Sequence, residues 1–80
     1  MRIDKYLKIS RIIKRRTLAN EACDASHVKV NGKTVKASYD VKVDDIIEVT
    51  FGQGTVKIKV LSVKEVVRKE EASSLYEIIK

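Results

Sequence analysis

Cys23 and His27 are the two residues of this sequence that could do nucleophilic chemistry together. They stand four positions apart, so they would share one face of a continuous helix. A cysteine nucleophile also needs a group that orients its base and a donor for the oxyanion. We expect the helix to end near Ser26, which would separate the two side chains. The sequence therefore predicts a structural Cys23 in the core, a His27 at the start of a strand, and no catalytic residue.

Metal and cofactor chemistry finds no support in the sequence either. Asp44 and Asp45 are neighbours in a polar segment, where such pairs are typical of turns. The three glycines, Gly32, Gly52 and Gly54, match neither a phosphate-binding loop nor a dinucleotide fingerprint. A single cysteine excludes an intramolecular disulfide. We predict no metal and no cofactor, and we expect a cytoplasmic, monomeric protein without a membrane-spanning helix.

The positive charge is confined to one end of the chain. The formal net charge is +6, from 17 Lys and Arg against 11 Asp and Glu. Residues 1–16 hold seven basic side chains and one acidic one, so they carry the whole excess, and residues 17–80 sum to zero. Such segregation favours a polyanion-binding arm over a merely solvated helix face, since phosphate contacts release counterions. The predicted contacts are Arg2, Lys5, Lys8, Arg11, Lys14, Arg15, Arg16, Lys29, Lys33 and Lys36.

The aromatic side chains indicate which kind of nucleic acid is bound. Tyr6, Tyr39, Phe51 and Tyr76 are scattered along the chain, and Tyr6 and Phe51 have the pattern of core residues. Readers of single strands carry clustered aromatic stacking platforms. We therefore expect binding to folded RNA, mainly through backbone and shape.

Apolar spacing predicts two short helices in the arm, joined by a basic elbow at residues 11–16. In the first helix, Ile3, Tyr6, Leu7 and Ser10 share one face, and Arg2, Asp4, Lys5 and Lys8 the other. In the second, the apolar face holds Leu18, Ala19, Ala22, Cys23 and Ala25, and the polar face holds Thr17, Asn20, Glu21 and Asp24.

A period of two replaces the helical period after Asp24. The Asn31-Gly32 pair predicts a hairpin between residues 27–30 and 33–36, because both turn positions favour a positive φ. Residues 46–51 and 55–60 form a second predicted hairpin around residues 52–54. The predicted fold class is α+β, with two helices packed on a small, mainly antiparallel sheet. The single domain, residues 1–80, would comprise a basic helical arm 1–26, a sheet 27–63 and a C-terminal helix 66–80.

Three motifs together resemble the S4 RNA-binding domain family. They are RIDKYL at residues 2–7, KRR at 14–16 and VKVNGK at 28–33. The family is named for small-subunit ribosomal protein four and also occurs in pseudouridine synthases, tyrosyl-tRNA synthetases and heat-shock protein fifteen. One departure is Ser26, which stands where the family usually has glycine. A left-handed serine there would cost about 1 kcal/mol, unless the helix is capped differently.

Three segments resemble one group within this family: residues 2–19, the Phe51-Gly52 turn and the segment from Lys69 to Tyr76. They are similar to the short S4-type factors of ribosome-associated quality control in Gram-positive bacteria. That resemblance implies binding to obstructed large ribosomal subunits that carry peptidyl-tRNA, with contacts to 23S rRNA and to the P-site tRNA. It also implies an RqcH-type partner that recruits alanyl-tRNA for C-terminal alanine tailing.

Three other classes of function compete with this reading. A generic rRNA- or tRNA-binding recycling factor of the heat-shock type would use the same arm. A DNA-binding helix-turn-helix is disfavoured by the hairpin directly after the second helix and by Glu21 and Asp24 on its exposed face. A membrane-surface helix is disfavoured because the first helix offers too little apolar area.

Overall fold

Two helices lead into a five-stranded sheet in the computed structural model, which describes residues 1–52, 54–64 and 68–79. The helices are α1 (Ile3–Ile9) and α2 (Arg16–Asp24). The strands are β1 (Val28–Val30), β2 (Lys33–Thr34), β3 (Ile46–Phe51), β4 (Gly54–Val60) and β5 (Tyr76–Ile78), and a 3-10 helix spans Lys69–Leu75.

The sheet has the order β2-β1-β3-β4-β5, and every neighbouring pair is antiparallel. Asn31 and Gly32 turn β1 into β2 with φ values of 52° and 84°, as the sequence predicts. Val30 lies opposite Ile47, and Ile47 lies opposite Ile58, so buried side chains line one face of the sheet. Both predicted hairpins are confirmed.

The helices cover that apolar face, which confirms the predicted α+β class. From α1, Ile3, Tyr6 and Leu7 are fully buried, and from α2, Ala19 and Cys23 join the same core. The elbow between the helices takes a left-handed turn at Arg11, whose φ is 63°. That turn places Ile13 against the core while the basic side chains around it stay exposed.

Ser26 ends α2 in the left-handed conformation, with φ of 63°. The Ser26 N–H donates to the Cys23 carbonyl at 3.0 Å, and the His27 N–H donates to the Ala22 carbonyl at 2.9 Å. These two bonds are those of a Schellman cap. The cap is therefore the usual one, built with serine in place of glycine at the cost of some backbone strain.

The predicted C-terminal helix at 66–80 is wrong for the described part of that segment, and residues 66, 67 and 80 lie outside the described residues. Residues Lys69–Leu75 form a 3-10 helix, and Tyr76–Ile78 pair with β4 as the fifth strand. Three donors reach the Leu75 carbonyl: the Tyr6 hydroxyl at 2.7 Å, the Leu61 N–H at 2.9 Å and the Ser62 N–H at 3.2 Å. The open edge of β4 and these long-range bonds outweigh the local helical spacing, and the sheet therefore extends beyond the predicted 27–63.

Asp45 fixes the connection that runs from β2 to β3. It accepts hydrogen bonds from the Asn31 side chain at 3.2 Å, the Tyr39 hydroxyl at 3.1 Å and the Lys42 N–H at 2.9 Å. Asp44 beside it has a φ of 77°. The Asp44-Asp45 pair is thus a turn, and its buried member holds the loop in place.

Candidate nucleic-acid interface

The start of the chain is held against the loop that precedes β3. The Ile3 N–H donates to the Tyr39 carbonyl at 2.8 Å, and the Asp4 N–H donates to the Ala37 carbonyl at 3.3 Å. Arg2 itself pairs as an isolated antiparallel bridge with Asp40. These bonds place the Arg2 side chain beside residues 36–38, far from it in sequence.

Asp4 is buried, whereas helical spacing placed it on the exposed face of α1; that prediction is wrong. The Arg2 Nε and Nη2 atoms donate to its two carboxylate oxygens, each at 3.3 Å. Arg16 reaches the same carboxylate from α2, with Nη2 3.4 Å from Oδ1. The packing of α1 against α2 therefore joins two arginines through one buried acid.

Hydrogen bonding keeps Asp4 charged in this environment. Burial by itself raises the pKa of the carboxyl group, but the Lys5 N–H at 2.7 Å and the nearby Arg16 guanidinium more than offset it. The net result is a pKa below the usual 3.8. Asp4 is thus a carboxylate at neutral pH and orders both guanidinium groups.

Each arginine keeps much of its surface free for a ligand. The side chains of Arg2 and Arg16 are 51% and 48% exposed, against 3% for Asp4. A guanidinium has five N–H donors, so a carboxylate contact leaves others available. Two partly ordered cations, held at one place on the surface, suit recognition of phosphate oxygens.

Two adjoining depressions share Arg2, and we call them together the arginine groove. The first lies along α2, and the second runs from the end of α2 to the segment after β2. The first is lined by Arg2, Asp4, Arg16, Thr17, Asn20 and Glu21. The second is lined by Arg2, Cys23, Asp24, Ser26 and residues 34–38, including Lys36. The groove thus brings together three of the ten predicted contacts: Arg2, Arg16 and Lys36.

The other basic residues of the arm do not line the described part of this groove. Arg11, Lys14 and Arg15 are exposed in the elbow, and Lys8 is exposed in the last turn of α1. Lys5 is half-buried in the same helix. All five carry their charge on the helical layer of the molecule.

Lys29 and Lys33 lie on the sheet, apart from the arginine groove. Lys29 is exposed between the buried Val28 and Val30, and its partner in register is Glu48, so its side chain leaves the sheet on the face opposite the helices. Lys33 is exposed on the edge strand β2. The structure does not bring these two lysines to the two arginines.

Sequence reasoning missed Asp4 as the residue that organises the groove. A signal was present, since Asp4 is the only acidic residue among residues 1–16. A lone acid among seven bases has cationic partners available wherever the chain folds. Which two arginines meet it depends on how α1 and α2 cross, and no spacing rule gives that.

Two further predictions fail on the opposite flank of α2. Leu18, placed on the apolar face of the second helix, and Phe51, given the pattern of a core residue, are 47% and 42% exposed. They border a different depression, which shares no described lining residue with the arginine groove and which we call the apolar hollow. It is lined by Ile13, Leu18, Ala22, His27, Val49, Thr50, Phe51 and Gly52.

Cys23 has the environment of a structural residue, as predicted. Its side chain is 3% exposed, and burial raises the pKa of the thiol to about 11. Among residues 1–52, 54–64 and 68–79, no cluster of histidine, cysteine or acidic side chains could hold a metal ion. Within the same residues, no helix has the length and apolarity to cross a membrane.

Comparison with known proteins gives a consistent result. The model of the S4 domain matches residues 1–47. The chain is 53% identical to the RQC P-site tRNA stabilizing factor of Streptococcus pneumoniae, over 99% of this chain and 90% of that protein. It is 54% identical to the factor of the same name from Halalkalibacterium halodurans, over 100% of this chain and 91% of that protein.

The fold agrees with a solved structure as well. The trimeric heat shock protein 15 of Vibrio cholerae superimposes with a TM-score of 0.92 at 29% identity, over 99% of this chain and 81% of that one. The S4-type resemblance read from the motifs is therefore confirmed. The chain belongs to the S4 domain family and, within it, to the family of the RQC P-site tRNA stabilizing factors.

Proposed function

We propose that this chain binds RNA on the large ribosomal subunit and holds the P-site tRNA during ribosome-associated quality control. Its relatives are named RQC P-site tRNA stabilizing factors, and their similarity extends over nearly the whole chain. The protein would act by binding alone, as a single domain in the cytoplasm, without a catalytic residue, metal or cofactor of its own.

The observation that carries this proposal is the pair of half-exposed arginines fixed on Asp4. An unsupported arginine loses side-chain entropy when it binds, and that loss weakens the contact. Arg2 and Arg16 have part of this entropy removed in the free protein, because each is already bonded to Asp4. Their remaining donors can then engage phosphate oxygens at a lower entropic cost.

All ten predicted basic residues are proposed contacts, but they divide into two groups. Arg2, Arg16 and Lys36 lie in the arginine groove, and the remaining arm residues lie on the same helical layer. Lys29 and Lys33 lie on the sheet and would meet a different stretch of RNA. A surface with two such groups suits two RNAs held side by side, and we assign these to 23S rRNA and the peptidyl-tRNA.

The partner protein belongs to the same proposal. An RqcH-type factor would recruit alanyl-tRNA while this chain keeps the peptidyl-tRNA in place for C-terminal alanine tailing. The close superposition on heat shock protein 15 favours a second candidate, a more general recycling factor that binds rRNA and tRNA. The two candidates differ in whether alanine tailing depends on the protein.

Purification of the C-terminally tagged protein from cells, followed by sequencing of the bound RNA, tests the proposal. We expect large-subunit rRNA together with tRNA. Cells that lack the protein should also lose alanine tails on stalled peptides. Recovery of the same RNAs with tailing unchanged would favour the recycling factor, and recovery of free mRNA or genomic DNA would contradict both.

A further inference from the structure

The apolar hollow is a second surface feature that phosphate contacts by the arginine groove do not use. It has a volume of about 310 Å³, near the lower end of the range for small-ligand sites, roughly 300–1000 Å³. Ile13, Ala22 and Val49 contribute apolar side chains. Leu18 and Phe51 border it, and each leaves more than two fifths of its surface in water.

The charges around the hollow indicate what kind of molecule fits it. None of the described residues that line it is acidic, although α2 carries two acids. Glu21 and Asp24 both line the arginine groove on the other flank of the helix. Lys14 and Arg15, the two residues that follow Ile13 in the chain, are instead cationic and exposed. An apolar hollow beside positive charge complements a ligand with a flat apolar part and a negative backbone.

The number of rings in the hollow limits how much of such a ligand it can hold. Among the lining residues that the structure describes, Phe51 supplies the one benzene ring and His27 supplies an imidazole. Proteins that read single strands stack several bases on several aromatic side chains. A single phenyl ring with one imidazole provides for a single base.

We propose that the apolar hollow receives one unpaired nucleobase of the bound RNA, which stacks on Phe51 while the flanking phosphates lie near Lys14 and Arg15. The inference rests on the proposed RNA-binding function and adds to it a requirement in the RNA, a bulged or looped-out nucleotide beside a helix. Shape and charge would then be read by the arginine groove, and an extruded base by the hollow.

Two fluorescein-labelled RNA hairpins test this inference by anisotropy at fixed salt. One has a fully paired stem, and the other has the same stem with one bulged adenosine. Alanine substitution at stacking residues weakens binding by about five- to a hundredfold per base. We expect Phe51→Ala to lose affinity for the bulged hairpin by this factor and to bind the paired hairpin within about twofold of the wild type.

Three further variants separate stacking from other effects. Phe51→Tyr should bind the bulged hairpin as the wild type does, because it keeps the ring, whereas Phe51→Leu should behave like Phe51→Ala. Val43→Ala removes a side chain that is also half exposed, from a residue outside the hollow, and should change nothing. Thermal midpoints of all variants identify any that are misfolded.

Several results would overturn the inference. Equal binding of both hairpins by the wild type and Phe51→Ala would mean that no base enters the hollow. Normal binding of the bulged hairpin by Phe51→Leu would mean that the hollow needs only an apolar side chain and not an aromatic ring, so a base would not stack there. Binding of neither hairpin would reject the RNA-binding function and the base site with it, and this result is distinct from equal binding of both.

Discussion

The two flanks of α2 differ in chemistry although they belong to one helix of nine residues. On one flank, Arg16 joins Arg2 through the buried Asp4, and polar residues line the groove. On the other flank, Leu18, Ala22 and Phe51 line a hollow whose described lining contains no acid. The core residues Ala19 and Cys23 lie between them.

This difference separates two kinds of RNA contact in a small domain. The arginine groove offers fixed charge, which any phosphate backbone satisfies, so in the proposed role it would provide affinity without reading sequence. The apolar hollow offers an exposed ring, which needs a base removed from its stack. Affinity from the first should depend strongly on salt, and affinity from the second should not.

The largest expected effect is that of salt. If four to six charges of the arm meet phosphate, log affinity should fall against log salt with a slope of roughly −3 to −5. Between 50 and 200 mM salt this is a loss of about 60- to 1000-fold. Phe51→Ala should give a parallel line at lower affinity on the bulged hairpin. A slope near zero for log affinity against log salt would mean that the arginine groove makes no charge contacts with RNA phosphates.

Removal of Arg16 is expected to have the next largest effect. A partly desolvated guanidinium contact is worth about 1.5–3 kcal/mol, so Arg16→Ala should weaken co-sedimentation with large ribosomal subunits about ten- to a hundredfold. Arg16→Lys should also be impaired, because lysine cannot donate two parallel hydrogen bonds. Arg68→Ala removes an exposed arginine outside the predicted contacts and serves as the control.

Thermal midpoints decide how the Arg16 result is interpreted. The ion pair with Asp4 gives Arg16 a structural role as well. If Arg16→Ala melts early and its folded fraction still binds normally, the arginine only supports the fold. Normal midpoints combined with weak binding would assign it to the RNA.

Asp4→Asn tests the link between stability and the arginine groove. Loss of a buried, charge-assisted network should lower the free energy of unfolding by about 1–3 kcal/mol at pH 7. The pKa of Asp4 is lower in the folded state than in the unfolded chain, so its contribution is present above pH 3.8 and is lost as pH falls through the folded value. Urea denaturation at several pH values should show wild type and variant converging in acid, and a constant gap would contradict this.

Cys23→Ala should have the smallest effect, because the thiol is almost entirely buried although it lies at the base of the arginine groove. Removing the buried sulfur leaves a small cavity, at a cost of about 1 kcal/mol, and RNA binding of the folded protein should be unchanged. The raised thiol pKa also predicts slow alkylation by iodoacetamide in the native state, with fast reaction after unfolding. If a folded Cys23→Ala variant lost RNA binding, Cys23 would belong to the RNA-binding surface and would not be only a structural residue.

Most of the fold could be predicted from local spacing. The Asn31-Gly32 turn requires a positive φ at two adjacent positions, and few residue pairs adopt it easily. The alternation in β3 and β4 gives their buried faces directly. The C-terminal segment could not be predicted in this way, because Ala72 and Leu75 are buried as helical spacing requires while Tyr76 already belongs to a strand.

The candidate site was predictable as a set of charges and not as an arrangement. The confinement of the excess charge to residues 1–16 follows from composition alone. The exposure of Phe51 does not, since a phenylalanine in a β-rich run has the pattern of a core residue. It lies at the end of β3, beyond the core-lining part of the strand, and only the packed structure shows that.

Local spacing is therefore enough to predict two short helices, two hairpins and a basic arm. The burial of Asp4 between Arg2 and Arg16, and the completion of the sheet by residues 76–78, depend on the packed fold. Both outcomes need groups from distant parts of the chain, such as the Tyr6 hydroxyl that binds the Leu75 carbonyl across 69 positions. A polar group is satisfied by whichever partner folding brings to it, and that partner is not encoded by local spacing.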